Sequence, residues 1–511
     1  MFARAYGGTT IGVDGVKIDV EVDSSNGLPA FDIVGLPDAA VKEAKERVRT
    51  AIRNSGLLLR PERITINLAP ANLRKDSSGL DLPIAIGLLV AYGIIEQDRI
   101  NSSMFAAELS LEGELRAVTG VLPMTVMARE AGFKEVFISS GNANEALLVE
   151  GIKIYAPRTL GELVDILTGR SDAVLATPTN VNADDALNIV DDFSDVQGQF
   201  FAKRALEIAA AGGHNALMVG SPGSGKTMLA RRMGSILPEL TKEEALEVTK
   251  IYSIAGLLPQ NGGLIKKRPF RSPHHTTSTT ALIGGGSIPR PGEVTLAQHG
   301  ILFLDELPEF NKQTLEVLRQ PLEDRVVTIS RAKATLSFPA SFILLSAMNP
   351  CPCGYAGEED KAHICECTPN EIKKYTRKIS GPLLDRIDIH IRVPKVEYKD
   401  LSSREKAESS EKIRKRVTEA RFRQIERLRP YGIFCNAQMN HAVLRDTCPL
   451  DNAAQSLLEN AFKVMNLSAR SYDRIIKVAR TVADLSGSDK IENAHIAEAI
   501  GLRNDIGLDT N

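Results

Sequence analysis

The sequence predicts an α/β protein of about three domains. Three observations lead there. From the N-terminus to about Val393, short apolar or β-branched stretches of strand length alternate with helical ones. One of those stretches, "ALMV" (Ala216–Val219), runs directly into a glycine-rich turn and then a helical "MLARRM". From Leu401 onward the pattern becomes charged and helical, rich in Arg, Lys and Glu, with turns such as "SGSD".

The 511 residues are 43% apolar and 25% charged, an ordinary globular balance. Net charge is −2, which excludes a globally basic DNA-coating protein, so any nucleic-acid contact has to come from local basic clusters. Tryptophan is absent and aromatics are 5%, which argues against large base-stacking platforms. No apolar run approaches the roughly 20 residues of a membrane span. The start, "MFARAYGGTT", lacks the apolar core of a signal peptide. A cytoplasmic chain with reduced cysteines and no membrane contact is expected.

In residues 1–170, "RITINLAP" has a strand's β-branched alternation, and "KEVFIS" and "IKIYAP" read as further strands. "LDLPIAIGLLVAYGII" predicts a buried helix. The small, polar stretch "SDAVLATPTNVNADDALN" within residues 171–190 reads as a linker. A second α/β region is expected over 191–397, a charged helical connector over 398–432 and a helical domain over 433–511.

The turn after "ALMV" is "GSPGSGKT": Gly220, Ser221, Pro222, Gly223, Ser224, Gly225, Lys226 and Thr227. It fits G-x-x-x-x-G-K-[ST] in the required strand-to-helix setting. The glycines let backbone N–H groups turn inward around phosphate, and the helix N-terminus adds partial positive charge. ATP is the expected ligand, with Lys226 reaching its phosphates and the Thr227 hydroxyl on Mg²⁺. "ILFLDEL" (Ile301–Leu307) is an apolar strand ending in two acids. Asp305 is placed to hold the Mg²⁺ shell, and Glu306 to polarise the attacking water. "FILLSAMNP" ends a third buried strand at Asn349, which either orients that water or caps the turn before Pro350.

Four of the six cysteines fall in "NPCPCGYAGEEDKAHICECTPNE": Cys351, Cys353, Cys365 and Cys367. Four thiolates in one loop suit tetrahedral Zn²⁺ in a structural site. The polar "YAGEEDKAH" between the pairs cannot bury a core of its own, so metal would supply folding energy. Two disulfides, or four inert thiols, are the rival readings, and His363 is a spare candidate ligand. Cys435 and Cys448 stand apart and are expected to be buried.

The segments "GQFFAKRALEIAAAGGHNALMVGSPGSGKTMLARRM", "FRSPHHTTSTTALIGGG", "PRPGEVTLAQHGILFLDELPEF" and "SGPLLDRIDIHI" together resemble the magnesium-chelatase-like AAA+ ATPases, in particular the ComM (YifB) group. The resemblance covers nearly the whole chain. It implies a ring, usually hexameric, with each nucleotide held between neighbouring copies. It assigns Asn349 as sensor 1, Arg386 as the arginine finger offered to the neighbour, and Arg470 in "LSARSYDRIIKVAR" as sensor 2 on the helical lid. On residue type alone either arginine is equally a surface ion-pair residue.

The same resemblance reads residues 272–298 as the helix-2 insert facing a central pore. It reads "VVTISRAKATLSF" (Val326–Phe338) as a hairpin whose Arg331 and Lys333 grip a DNA backbone. The bland alternative is a solvated hairpin tip. Residues 1–170 resemble the proteolytic domain of Lon, but Gly79 and Leu122 stand where a Ser–Lys pair is needed. Ser77 and Ser78 are offset by one or two positions, so an inactive protease fold used for DNA binding or assembly is expected. The function implied is an ATP-driven motor or helicase for branch migration of recombination intermediates in natural transformation, acting on single- and double-stranded DNA. A chelatase-type motor remodelling a protein, or a Lon-like protease, are the alternatives.

Overall fold

The computed structural model describes residues 1–73, 75, 78–178, 191–259, 263–286, 289–331, 334–357, 364–396, 407–464 and 468–503. They form two compact units. One comprises Met1–Ala186 with Ala245–Ile265, and the other Leu187–Glu244 with Lys266–Asn511.

The first unit opens with a long antiparallel hairpin, β1 (Phe2–Ile11) and β2 (Asp14–Ser25). Its two-residue loop starts at Gly12, whose φ of +63° is the left-handed backbone such tight turns need. The sequence pattern does not announce this hairpin, because small and polar residues interrupt the alternation of "ARAYGGTTIGVDGVKI". After β3 (Ala30–Val34) comes α1 (Ala39–Asn54), capped by the Asp38 side chain accepting from the Val41 N–H. Next is β4 (Arg63–Ala69), the strand expected from "RITINLAP". The sheet order is β1-β2-β4-β3, with β3 and β4 parallel.

The expected apolar helix is α2 (Asp81–Ala91), and all eleven of its residues are buried. Its single acid, Asp81, accepts two bonds from Arg47, at 2.7 and 3.0 Å. Burial pushes the Asp81 carboxyl up even against this guanidinium. A second sheet is parallel: β5 (Ser103–Ala106), then, beyond α3 (Val121–Glu130), β6 (Glu135–Ile138) and β7 (Lys153–Tyr155), ordered β5-β6-β7. Helix α4 (Leu160–Leu167) follows.

Residues 245–265 contribute most of the helix Lys242–Ala255 to this unit. Its Ser253 hydroxyl donates to Glu145 at 2.6 Å, and Asn142 and the Leu122 N–H donate to the same carboxylate. Burial raises the Glu145 carboxyl despite those donors.

The second unit begins with α5 (Phe200–Gly212), β8 (Ala216–Val219) and α6 (Lys226–Ile236). Besides a short antiparallel pair, Gly284–Gly285 with Arg290–Pro291, its strands include β9 (Phe270–Arg271), β10 (Ile301–Leu304), the hairpin β11 (Val326–Arg331) and β12 (Ala334–Pro339), β13 (Ile343–Met348) and β14 (Ile389–Arg392). Among the described residues the central sheet is five-stranded and wholly parallel, ordered β9-β10-β13-β8-β14. Strands β8, β10 and β13 are buried throughout, as expected for a parallel sheet covered on both faces.

Asn215, just before β8, ties three parts of this unit together. Its carbonyl accepts from Asp388 and Ile389, its Oδ1 accepts from the Leu344 N–H at 2.8 Å, and its Nδ2 donates to Arg386 O at 2.9 Å.

The C-terminal part is helical: α7 (Ser410–Leu428), α8 (Asn452–Val464), α9 (Ala469–Ser486) and α10 (Asn493–Gly501). A buried polar centre holds it, with Asp484 accepting from Arg427, Arg480 and Asn436. Cys435 and Cys448 are buried, as expected. Of the expected linker and connector, residues 179–190 and 397–406 lie outside the described residues, as do Ser77, Lys333, His363 and the side chain of Arg331.

Candidate nucleotide site and cysteine cluster

In a parallel sheet, adjacent strands end together, so their C-terminal residues meet at one edge. Here β8 is paired to β13, and β13 to β10, with Val219 opposite Met348 and Leu304 opposite Ser346. The residues that follow these three strands are the phosphate loop, Asn349 and Asp305. The Thr227 hydroxyl donates to Asp305 Oδ2 at 2.7 Å, and Lys226 Nζ reaches Asn349 Oδ1 at 3.3 Å. Four sequence-predicted residues from three separate segments are thus brought together.

The loop has the form of an anion cradle. Gly223 and Gly225 have φ of +78° and +87°, and a Cβ at Gly220 would lie 2.2 Å from Val393 O. A side chain at Gly220 would therefore close the turn. Lys226 is buried, with Nζ donating to the carbonyls of Gly220 and Ser221 at 2.8 Å. The Ser221 hydroxyl is buried without a hydrogen-bond partner among the described residues. Two left-handed glycines in the turn, one buried ammonium and a Thr–Asp pair fit a nucleoside triphosphate with Mg²⁺. Thr227 and Asp305 are the residues that would hold the ion.

Glu306 departs from ordinary geometry, with φ +52° and ψ +46°. A non-glycine residue in the left-handed region is uncommon and is found preferentially at functional positions. Its side chain is 58% exposed, and Oε2 lies 3.2 Å from Nδ1 of His275.

The arginines are elsewhere. Arg386 and Arg470 both line a cavity of about 330 Å³, and no described residue of the phosphate loop lines it. Arg386 is largely covered. It donates to Arg319 O at 3.0 Å and to Pro382 O at 2.8 Å, and it pairs with Glu323. Arg470, near the start of α9, is 61% exposed and 4.0 Å from Asp385.

One turn further along α9, Arg474 lines the same cavity and donates to Asp388 Oδ1 at 2.6 Å. Asp388 Oδ2 faces His214 Nδ1 at 3.2 Å, and His214 Nε2 meets the Thr481 hydroxyl at 2.8 Å. Burial opposes ionisation of Asp388, yet Arg474 and His214 hold its carboxyl well below the usual range. This buried network joins β14 to α9. Sequence reasoning missed it; its faint signal was an alternation of charged and apolar residues in "DRIDIHI".

The four cysteine sulfurs lie within 4.8 Å of one another. Cys351 is 3.2 Å from Cys353 and 3.7 Å from Cys365, and Cys353 is 3.5 Å from Cys365. A tetrahedral zinc site with bonds of about 2.3 Å has sulfurs about 3.8 Å apart, so the donor set fits that ion. The amides of Gly354 and Ala356 donate to Cys351 Sγ at 3.2 and 3.3 Å. Burial works against it, but bonds from the Tyr355 amide and the neighbouring thiols bring Cys353 down to about 6. Cys367, despite the Cys353 amide, is pushed up to about 12 by burial and the adjoining thiols.

In the Lon-like region, Gly79 sits in the turn that opens α2 and Leu122 is fully buried in α3. Neither offers a nucleophile or a base. Lys75 is buried, donating to Gly35 O at 2.8 Å and to Pro70 O.

Residues 192–401 match the family described as "Magnesium chelatase, subunit ChlI", with further matches to its ChlI subunit model at 20–142 and to its C-terminal model at 407–503. The Competence protein ComM of Haemophilus influenzae is 43% identical over 507 residues, covering 98% of this chain and 97% of that protein. The chain belongs to the ComM/YifB group of magnesium-chelatase-like AAA+ ATPases. The YifB protein of Escherichia coli is 41% identical over 501 residues, covering 96% and 95% of the two chains. Lon protease 2 of Bacillus subtilis is 26% identical over 165 residues, 29% of each chain, which agrees with a Lon-like N-terminal region. No helix among the described residues is long and apolar enough to cross a membrane.

The cysteine loop and the phosphate loop also touch. Gly354 has φ +93°, and a Cβ there would lie 2.6 Å from Pro222 Cδ. Gly354→Ala is therefore expected to cost about 1–3 kcal/mol through backbone strain and crowding. Because the crowded atom belongs to the phosphate loop, nucleotide affinity should fall as well. Denaturant melts and titration with a fluorescent ATP analogue check both, and unchanged affinity would count against the importance of this packing.

Proposed function

We propose that this protein is an ATP-driven motor on DNA, working as a hexameric ring and promoting branch migration of recombination intermediates during natural transformation. The observation that carries a ring is the division of the site. Lys226, Thr227, Asp305 and Asn349 converge on one edge, while Arg386 and Arg470 line a separate cavity. A complete catalytic set then takes two copies, one bringing the phosphate loop and the next bringing the arginines. The DNA and competence reading is supported by the family resemblance and by the printed name of the Haemophilus relative.

The roles follow from chemistry. Bound ATP with Mg²⁺ supplies the phosphoanhydride whose hydrolysis drives movement. Lys226 exchanges its two carbonyl partners for phosphate oxygens, and Thr227 and Asp305 hold the cation. Glu306 takes the proton of the attacking water, and Asn349 orients that water. Arg386 leaves Glu323 and forks onto the neighbour's phosphate, with Arg470 beside it.

Cys351, Cys353, Cys365 and Cys367 hold a structural zinc that stiffens the loop after Asn349. Residues 1–170 act as an inactive Lon-like module for DNA binding or assembly, joined by 171–190 to the ATPase core at 191–397. The connector, 398–432, leads to the lid, 433–511. The working compartment is the cytoplasm. The decisive assay is strand displacement on forked and three-stranded DNA, with ATP and with a non-hydrolysable analogue. Absence of ATP-dependent displacement would remove the motor reading.

Glu306→Gln is expected to bind ATP normally while hydrolysis falls at least about a hundredfold, because only the water-polarising carboxylate is lost. Lys226→Ala should weaken binding itself. Arg386→Ala should bind yet hydrolyse poorly, and mixing it with excess Glu306→Gln should restore some turnover at interfaces where the two defects complement. No rescue in verified mixed rings would count against a shared site.

Metal analysis of protein purified without a histidine tag is expected to find about one Zn²⁺ per chain. The double change Cys365→Ser, Cys367→Ser should lose it and lower thermal stability. Zinc-free, fully stable protein would overturn the assignment.

Arg331→Ala with Lys333→Ala is expected to weaken DNA binding alike on unrelated sequences. It should also lower the salt slope by about 0.7 for each single-strand phosphate no longer neutralised, or about 0.9 for each duplex phosphate. Basal ATPase should survive, while DNA-stimulated ATPase falls. Unchanged binding and strand displacement would exclude these residues from the DNA path.

A further inference from the structure

Asn215 immediately precedes β8 and has no part in the roles above. The pairing of Ala216 with Leu345 on β13 and with Ile389 on β14 puts Asn215 level with Leu344 on one side and Asp388 on the other. Its side-chain amide spans both neighbours. Oδ1 accepts from the Leu344 N–H at 2.8 Å, and Nδ2 donates to Arg386 O at 2.9 Å. An amide accepts on one side and donates on the other, whereas a carboxylate only accepts. The backbone carbonyl of Asn215 takes the Asp388 and Ile389 N–H groups at 3.0 and 3.1 Å. The Arg386 guanidinium is held by other groups: Arg319 O, Pro382 O and Glu323. The backbone and the side chain of Arg386 therefore have separate anchors.

We infer that Asn215 is a positioning residue for Arg386. It fixes the Arg386 peptide to the central sheet, so that the guanidinium can leave Arg319 and Glu323 while its backbone stays in place. This inference rests on the reading of Arg386 as the residue that completes a neighbour's site. A released arginine side chain samples many rotamers, and a catalytic group displaced by about 1 Å can cost about a hundredfold in rate. A fixed backbone narrows where the guanidinium lands. The same amide bonds β13, the strand that leads to Asn349, so the arginine offered to a neighbour is registered against the strand of its own phosphate site. Asn215 stands before β8 and the phosphate loop follows it, so the four residues of that strand, about 13 Å, lie between them. The effect of Asn215 therefore falls on turnover at the neighbour and not on nucleotide binding.

Two substitutions test the tie. Asn215→Asp keeps the acceptor for Leu344 and sets an oxygen against Arg386 O. Asn215→Ala removes both bonds, and it takes the same tests if Asn215→Asp does not fold. Steady-state ATPase, nucleotide affinity and thermal midpoints are measured for each, alone and combined with Arg386→Ala. Asn215→Asp is expected to lower kcat about tenfold, with nucleotide affinity within about twofold. Added to Arg386→Ala it should lower kcat no further, because the residue it positions is already gone. In verified mixed rings, Glu306→Gln should rescue Asn215→Asp, since it brings an intact Asn215 and Arg386. Arg386→Ala should not, since it lacks the same half of the site. A further loss of kcat in the double variant, or a fall in affinity as large as the fall in kcat, would mean a general loosening of the sheet and would overturn the inference. So would unchanged kcat in Asn215→Asp beside an impaired Arg386→Ala, no rescue where Arg386→Ala is rescued, or failure of both Asn215 variants to fold. Normal turnover by Arg386→Ala would overturn the reading of Arg386, and this inference with it.

Discussion

The nucleotide site depends on the parallel pairing of three strands. Ala216–Val219 lies against Ile343–Met348, and that strand lies against Ile301–Leu304. Each strand is buried, so its hydrogen-bonding register is not free to slip. A slip of one residue would turn Leu304 and Met348 to the opposite face. It would also part Thr227 from Asp305 and Lys226 from Asn349. The apolar run of each strand thus sets the position of the polar residue that follows it.

Lys226 and Thr227 already have protein partners in this conformation, and the arginines line another cavity. The tie between Arg386 and Glu323 gives a counter-charge to a mostly covered cation whose other partners are the carbonyls of Arg319 and Pro382. In the proposed role, exchange of Glu323 for a phosphate would keep the guanidinium paired throughout, which would keep the desolvation cost of the exchange small. The network of Asp388, His214, Arg474 and Thr481 joins strand Ile389–Arg392 to the helix that carries Arg470. The two arginines therefore share one framework and would move as a unit.

The cysteine loop extends the same logic to the other side of the phosphate loop. Gly354 packs on Pro222, and Cys351 follows Asn349 by two residues. Ordering of the four sulfurs and ordering of the phosphate loop are thus coupled by direct contact. A loop as polar as "YAGEEDKAH" cannot bury enough apolar surface to order itself, which is why clustered thiols matter here.

Much of this was legible in the sequence, where the chemistry is local. The phosphate loop, the strand ending in Asp305 and Glu306, the hairpin of residues 326–339 and the buried helix at Asp81–Ala91 each show in a short window. In each, backbone geometry and hydrophobic period are set by neighbouring residues. The N-terminal hairpin was not legible, because glycine and threonine blur its alternation. What only the tertiary structure decided were pairings between distant segments: Lys226 with Asn349, Arg474 with Asp388, His275 with Glu306, and Arg386 and Arg470 on one cavity. A histidine in "SPHHTT" or an aspartate in "DRIDIH" looks like any other polar residue until packing sets what stands about 3 Å away. That separation depends on sheet order and helix placement, which no single window of residues encodes.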